Sequence, residues 1–272
     1  MSIAGGFSRV RERAEQLGCD TIQLFTRSPR GWRIPALDPK EVAQFRSGIK
    51  AAGIEPVFVH VPYLPNLAAG GKLGKDSVAA VVADCERAQA LGISLVITHV
   101  GRGTGIAEPT ALAHVAANLD SVLEHSPDAV TLLLENTAGM GSEVGYRFEQ
   151  LAGIIGRVRK PDRVGVMLDT AHAFEAGYEM KTRAGLDATL REFDRVVGMG
   201  RLFGLHLNDS KTEFGSRVDR HWHIGEGCIG RAGMKLIIRH PLLSHLPAVM
   251  ETPKKSEQDD RMNMRAARSL AR

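Results

Sequence analysis

The sequence is short of cysteine, of long apolar segments and of any large excess of one charge. Its three cysteines, Cys19, Cys85 and Cys228, lie far apart and show none of the paired spacings of a zinc ribbon or a disulfide framework, so we expect reduced thiols. No segment reaches the roughly 20 apolar residues that a membrane helix needs. The N-terminal residues also lack the basic and apolar segments of a signal peptide. These absences lead us to expect a cytoplasmic protein with no membrane partner.

The charges are nearly balanced, with 35 Lys and Arg against 31 Asp and Glu, a formal net charge of +4 and a pI of about 9.1. This small basic excess slightly favours a polyanionic partner such as nucleic acid, although net charge mainly affects solubility and encounter. The 272 residues are 43% hydrophobic and can bury one sizeable core. No linker, low-complexity tract or repeat divides them, so we predict a single domain over residues 1–272.

Short, continuously apolar segments rich in β-branched residues recur along the chain, and they predict strands buried on both faces. The seven segments are residues 21–26, 54–60, 93–100, 129–136, 163–170, 202–209 and 247–252. Segments with helical spacing lie between them, of which residues 75–92 and 108–125 are the clearest. This alternation predicts an α/β fold with a parallel sheet, most simply closed as a TIM barrel, with an open doubly wound sheet as the alternative.

A TIM barrel has eight strands, one more than this sequence provides. The chain opens directly with a predicted helix over residues 5–18, so the first strand is missing from it. Either the barrel is open there and leaves two unpaired strand edges, or the true start codon lies upstream. We favour the second explanation.

Six of the seven predicted strands end in a residue that can bind a metal ion. These residues are His60, His99, Glu135, Asp169, His206 and Glu251. The C-terminal ends of barrel strands share one face, where active sites of this fold lie, so the six side chains should converge. One such histidine alone is more often a structural residue, and one such carboxylate is as often a helix cap or an ion-pair partner. Six together would be hard to desolvate without cations to balance them.

Three further candidate ligands follow just beyond these strands: His172, Asp219 and His221. The resulting set of nine contains nitrogen and carboxylate ligands but no cysteine, a mixture that suits zinc or manganese. Nine ligands are too many for one ion. With one bridging carboxylate, they suit three ions.

Seven motifs, in this order and at these spacings, resemble the endonuclease IV family of apurinic/apyrimidinic (AP) endonucleases. They are HVPYLPNL, HVG, ENTAGMG, DTAHAFEAGY, HLNDSK, SRVDRHWHIGEG and ET. The resemblance covers essentially the whole chain from Ser2 onward, and HLNDSK followed by DRH is its most specific part. The chain departs from the family in having Val100 where members usually carry proline after the histidine of the fourth barrel strand. Because this residue is not a ligand, we expect only a small change in loop stiffness.

The resemblance implies a TIM barrel that holds three zinc ions. It assigns one ion to His60, His99 and Glu135. It assigns a second to the bridging Glu135, Asp169, His206 and Glu251. It assigns the third to His172, Asp219 and His221. His223, two residues further on, is expected to lie beside the ligands or on the surface.

The resemblance further implies hydrolysis of the phosphodiester bond 5′ to an abasic site in duplex DNA, which leaves a 3′-hydroxyl and a 5′-deoxyribose phosphate, and removal of blocking groups from 3′ ends. Clustered zinc ions suit this reaction because they neutralise the phosphate, lower the pKa of bound water from about 15.7 toward 7 and stabilise the leaving oxygen. Two of the ligands are predicted to be catalytic. We expect Glu135 to place the attacking hydroxide and Glu251 to orient the attacking water.

Two segments are candidates for DNA contact. Residues 27–33 carry three arginines and Trp32, which suit phosphate contacts and insertion at a gap in the base stack; a basic surface loop with one packed tryptophan is the alternative. The resemblance places Arg30 and Tyr63 among the residues that enter the duplex at the lesion, where an abasic site is already partly unstacked. The glycine-rich residues 68–75 and 101–105 lack the spacing of phosphate loops and predict turns.

Two other functions stay open. A sugar isomerase or epimerase of the xylose isomerase-like superfamily shares the barrel and a carboxylate and histidine metal site, but such enzymes usually lack the cluster of His172, Asp219 and His221. A non-catalytic lesion-binding protein would keep the barrel and the basic loop, and the intact ligand set argues against it. We expect a monomer because one barrel can hold the whole site.

Overall fold

The computed structural model describes residues 1–272 and contains nine α-helices and nine strands. The helices are α1 Ser8–Leu17, α2 Pro39–Ala52, α3 Gly71–Ala90, α4 Glu108–His125, α5 Phe148–Ile155, α6 Thr170–Glu175, α7 Arg183–Val196, α8 Gly230–Ile238 and α9 Glu257–Ala271. The strands are β1 Ile22–Leu24, β2 Val57–His60, β3 Leu95–His99, β4 Thr131–Glu135, β5 Val164–Asp169, β6 Leu202–His206, β7 Asp209–Ser210, β8 His221–Trp222 and β9 Ala248–Val249.

All seven predicted strands are present, as β1 to β6 and β9, each inside its predicted range. No strand precedes α1, as expected. None of the helices is both long and apolar enough to span a membrane.

The chain divides into two compact units. The first comprises Met1–Leu134 and Ile154–Gly165, and the second comprises Glu135–Gly153 and Val166–Arg272. The expectation of one domain over residues 1–272 stays a prediction.

In the first unit, β1, β2 and β3 are parallel neighbours in chain order. Ile22 pairs with Val57, and Phe58 pairs with Leu95. The strand interiors are buried, as the continuously apolar segments predict. Because the strands are parallel, their carboxyl ends and the loops that follow them lie along one edge of the sheet.

The first unit also contains a buried ion pair that corrects one expectation. The guanidinium of Arg27 lies 2.9 Å from Asp84 in α3, and neither side chain is exposed to solvent. The Thr26 hydroxyl donates to the same carboxylate at 2.6 Å. Of the three arginines in residues 27–33, Arg27 is therefore structural and unavailable to phosphate, whereas Arg30 and Arg33 are exposed.

A second correction concerns the glycine-rich residues 68–75. The helix α3 begins at Gly71, so residues 71–75 form its first turn and only the residues before them form a turn. Within this helix, a Cβ atom on Gly74 would collide with the Ala69 carbonyl, which explains why a glycine stands in a helical segment. Residues 101–105 are irregular, as predicted, and Gly101 has a φ of +120°.

In the second unit, β5, β6 and β9 are parallel neighbours. Their register pairs Asp169 with His206 and His206 with Val249, so the carboxyl ends of the three strands lie side by side. Beyond β6 the chain forms a short antiparallel ribbon of β7 and β8, in which Ser210 pairs with His221. This ribbon returns residues 211–220 to the ends of the parallel strands.

Candidate metal centre

In the first unit, His60 and His99 end the neighbouring strands β2 and β3. Their ring centroids are 5.1 Å apart at an interplanar angle of 63°. Nδ1 of His60 lies 2.6 Å from the Val61 carbonyl, to which it donates a hydrogen bond, so the lone pair of the neutral ring is on Nε2. These two predicted ligands are therefore neighbours, as their positions at the ends of paired strands predict.

The second unit brings together the other seven predicted ligands. Ligand atoms in each of two groups lie within 4.8 Å of one another. One group is Asp169, His172 and His221. The other is Glu135, Asp169, His206 and Glu251. Asp219 joins the first group through its Oδ1, which lies 3.3 Å from Nε2 of His172.

Two asparagines that the sequence did not single out fix the shared ligand Asp169. The Asn136 side chain accepts from the Asp169 N–H at 2.7 Å and donates to its carbonyl at 3.1 Å. The Asn208 side chain donates to Oδ2 of Asp169 at 2.6 Å and accepts from the Glu251 N–H at 2.7 Å. Asn136 directly follows Glu135, and Asn208 stands two residues after His206, so nearness to predicted ligands was the signal that could have found them.

The group around His206 places three carboxylates, those of Glu135, Asp169 and Glu251, next to one histidine. Glu135 and Asp169 are fully buried, and Nδ1 of His206 lies 2.8 Å from Glu135 and 3.4 Å from Glu251. Burial by itself would lower the pKa of His206, but the carboxylates of Glu251 and Glu135 raise this pKa to about 9. Burial would likewise raise the pKa of Asp169, yet His172 and His221 hold it well below its usual value. The three carboxylates thus favour a positive charge beside them, whether on the histidines or on a bound ion.

His172 and His221 form a second pair of neighbouring histidines, and the orientation of their rings indicates where a cation would bind. Nδ1 of His172 lies 2.9 Å from the Asn136 carbonyl, and Nδ1 of His221 lies 3.1 Å from the Glu251 carbonyl. A carbonyl can only accept, so each Nδ1 donates and each neutral ring carries its lone pair on Nε2. The two Nε2 atoms face each other at 3.2 Å, and Oδ2 of Asp169 lies 3.4 Å from Nε2 of His221. Converging lone pairs on oriented imidazoles and carboxylates are compatible with metal binding.

The other predicted site residues, Arg30 and Tyr63, lie on loops that follow two strands of the first unit. Tyr63 follows β2 and is 67% exposed, and Trp32 follows β1 and is 43% exposed. Arg30 is exposed in the same loop as Trp32. Both loops follow strands that end on the edge carrying His60. His223 instead contacts Asn263 of α9 at 3.1 Å and belongs to neither ligand group.

Comparison with known proteins identifies the family. Residues 11–271 match the family model described as a xylose isomerase-like TIM barrel. A probable endonuclease 4 from Chloroflexus aggregans is 43% identical over 275 residues, which span 100% of this chain and 96% of that protein. The chain belongs to the endonuclease IV family. The crystal structure of endonuclease IV from Thermus thermophilus superimposes with a TM-score of 0.90 at 38% identity, covering 99% of this chain and 96% of that one.

Membership of the endonuclease IV family confirms the predicted TIM-barrel fold. D-Psicose 3-epimerase from Clostridium cellulolyticum also matches, with a TM-score of 0.67 at 14% identity over 98% of this chain and 92% of that one. At so low an identity the likeness shows the fold alone. The full-length matches at 43% and 38% identity, and not this likeness, decide the family.

Proposed function

We propose that this chain is a zinc-dependent endonuclease that hydrolyses the phosphodiester bond 5′ to abasic sites in duplex DNA. The products are a 3′-hydroxyl and a 5′-deoxyribose phosphate, and the same site removes blocking groups from 3′ ends. Full-length similarity to proteins named probable endonuclease 4 supports the nuclease activity. The facing Nε2 atoms of His172 and His221, together with Asp219, carry the proposal, because sugar isomerases and epimerases usually lack this third cluster.

The donor chemistry fits three zinc ions, with manganese as a second acceptable ion. We assign the third ion to His172, Asp219 and His221. We assign the second to Glu135, Asp169, His206 and Glu251. We assign the first to His60, His99 and the bridging Glu135.

Bound zinc would supply the Lewis acidity that neutralises a phosphodiester and makes water nucleophilic at neutral pH. The protein's own contribution is orientation. Glu135 is fully buried beside His206, which supports its proposed role in positioning the nucleophile. Glu251 has a side chain that is 26% exposed, whereas Glu135 and Asp169 are fully buried. Glu251 is therefore the carboxylate that solvent water can reach, and we assign it the role of orienting the attacking water. Asn136 and Asn208 hold Asp169 in place for both groups.

The DNA would be held by the loops that follow β1 and β2. Arg30 supplies a cation for phosphate, and the exposed rings of Tyr63 and Trp32 supply flat apolar surfaces for the gap left by a missing base. A lesion that is already unstacked is easier to flip out than a paired nucleotide, which favours abasic sites. We propose that the chain acts as a monomer, because the assignment needs no residue from a second copy.

The test is incision of a 5′-labelled duplex that carries one tetrahydrofuran abasic analogue, with zinc-loaded protein. We expect one cut immediately 5′ to the analogue, a product that a polymerase can extend from its 3′-hydroxyl, and no cut in the undamaged duplex. Binding without incision would favour a lesion-binding protein. Neither binding nor incision, together with epimerisation of ketohexoses, would favour the sugar enzyme.

A further inference from the structure

Glu175 ends α6, three residues after His172, and its side chain is fully buried. Its Oε1 accepts hydrogen bonds from the Ser210 hydroxyl at 2.7 Å, the Arg220 N–H at 3.2 Å and the Thr212 hydroxyl at 3.3 Å. Its Oε2 is buried without any hydrogen-bond partner. Leaving a carboxylate oxygen in this state is unfavourable, so an unpaired oxygen here calls for a ligand.

The carboxylate also lies beside the third cluster. Ligand atoms of His172, Glu175 and Asp219 lie within 4.8 Å of one another. Residues three apart in a helix lie on the same face, which explains why the side chains of His172 and Glu175 are close together. No lysine or arginine side chain forms an ion pair with Glu175, so a protein cation does not account for its burial.

We propose that Glu175 is a fourth protein ligand of the ion assigned above to His172, Asp219 and His221, an inference that rests on that proposed metal site. Because Oε1 already accepts from three donors, Oε2 is the oxygen that coordinates. Two carboxylates and two neutral imidazoles balance the charge of one divalent ion and complete the four-coordinate shell that zinc prefers. The consequence is a tightly retained ion at this position.

The hydrogen bonds to Oε1 also hold the loop that carries Asp219, so the test must separate coordination from loop positioning. Glu175→Gln keeps an acceptor oxygen at Oε1 and replaces Oε2 with an amide nitrogen, which is a donor and does not coordinate a metal ion. Ser210→Ala removes one hydrogen bond to Oε1 and leaves Oε2 unchanged. Glu213→Gln makes the same charge change at an exposed position of the same loop and is the matched control.

The measurement is the number of zinc ions per chain, by elemental analysis, after dialysis against increasing chelator. We expect Glu175→Gln to release one ion at a chelator concentration at least about tenfold lower than the concentration that wild type requires. Tenfold is the lower end of the loss in metal affinity seen when a group that supports a metal site is replaced. Glu213→Gln and Ser210→Ala should retain three ions as wild type does. Cobalt-substituted Glu175→Gln should also show altered visible absorption, because the coordination shell of one ion changes.

Three results would overturn the proposal. Retention of zinc by Glu175→Gln equal to that of Glu213→Gln would show that Oε2 does not coordinate. A loss in Ser210→Ala as large as in Glu175→Gln would make Glu175 a positioning residue only. Fewer than three ions in wild type would instead reject the metal assignment on which the proposal rests. If Glu175→Gln fails to fold, Glu175→Asp, which keeps the charge but retracts the oxygen, must weaken zinc retention and change the cobalt spectrum.

Discussion

The Nε2 atoms of His172 and His221 face each other across 3.2 Å, and each ring points its Nδ1 at a backbone carbonyl. Two neutral imidazoles in these tautomers would repel through their lone pairs. The contact is stable only with a positive charge between them, either a proton or a metal ion. With Asp169 and Asp219 beside the pair, a divalent ion is the better match in charge.

Zinc should stabilise the folded chain measurably. An ion that binds the folded state at 100 times its Kd adds about 2.7 kcal/mol per site, which for a chain of this size corresponds to a rise in Tm of roughly 5 °C or more. Differential scanning fluorimetry of chelator-treated protein, with and without zinc, measures this shift. Magnesium is the control, because it prefers oxygen ligands and should have much less effect. Equal melting temperatures with and without zinc would argue against a built metal site.

Arg30 and Tyr63 should contribute to DNA binding in different ways. Arg30→Ala should weaken binding to intact and abasic duplexes alike and reduce the salt dependence by about one phosphate contact. Tyr63→Ala should weaken binding mainly to the abasic duplex, by about 1–3 kcal/mol if its ring stacks at the lesion. Fluorescence anisotropy at several salt concentrations separates the two. Arg9→Ala, on the exposed surface of α1, is the control for the loss of one positive charge. If it weakens DNA binding as much as Arg30→Ala does, the proposed phosphate contact of Arg30 is contradicted.

The buried pair of Arg27 and Asp84 should be important for stability and irrelevant to chemistry. Asp84→Asn leaves the Arg27 guanidinium buried without a counter-charge, which should lower the free energy of unfolding by about 3 kcal/mol or more. Urea denaturation measures the change. Asp76→Asn removes the partner of Lys72 in an exposed pair on the same helix and should change stability by less than about 0.5 kcal/mol. Similar effects of the two substitutions would contradict the structural role of Arg27.

Stability should fall at alkaline pH through Cys85. Burial, with the Asp84 carboxylate adding to it, raises the pKa of the Cys85 thiol from 9.0 to about 12. The unfolded chain therefore ionises first, so the contribution of this thiol to stability is full below pH 9 and is lost as the pH rises toward 12. Between pH 8 and 10, wild type should lose about 1 kcal/mol more than Cys85→Ala in urea unfolding. Parallel losses in the two proteins would show that Cys85 ionises in the folded state.

Much of the fold, and the position of most candidate ligands at strand ends, could be predicted because both depend on local pattern. Continuously apolar segments identify buried strands, and a histidine or carboxylate at the end of each strand must point to one edge of a parallel sheet. Of the six predicted strand ends, those at His60, His99, Glu135, Asp169 and His206 are strand ends in the structure. The prediction for Glu251 was wrong, because β9 ends at Val249 and Glu251 lies two residues further on.

What could not be predicted depends on contacts between distant residues. Arg27 stands in a basic loop sequence, and only its pairing with Asp84, 57 residues later, shows that it is buried. Glu175 lies one turn after a predicted ligand, but its significance comes from Ser210, 35 residues later, and from an unpaired Oε2. The start of α3 at Gly71 was obscured because glycine is a poor helix former.

The catalytic metal site is tested by comparing His221→Ala, Glu135→Gln and His223→Ala in zinc-dependent incision of the tetrahydrofuran duplex. His223 is the matched control, since it lies two residues from His221 and contacts Asn263 instead of the ligand groups. We expect His221→Ala and Glu135→Gln to reduce the incision rate by at least about 100-fold, which is the effect of losing a group that stabilises the transition state. We expect His223→Ala to cut at close to the wild-type rate. Full incision by His221→Ala, or equal losses in His221→Ala and His223→Ala, would contradict the claim that the facing histidines form part of a catalytic metal site.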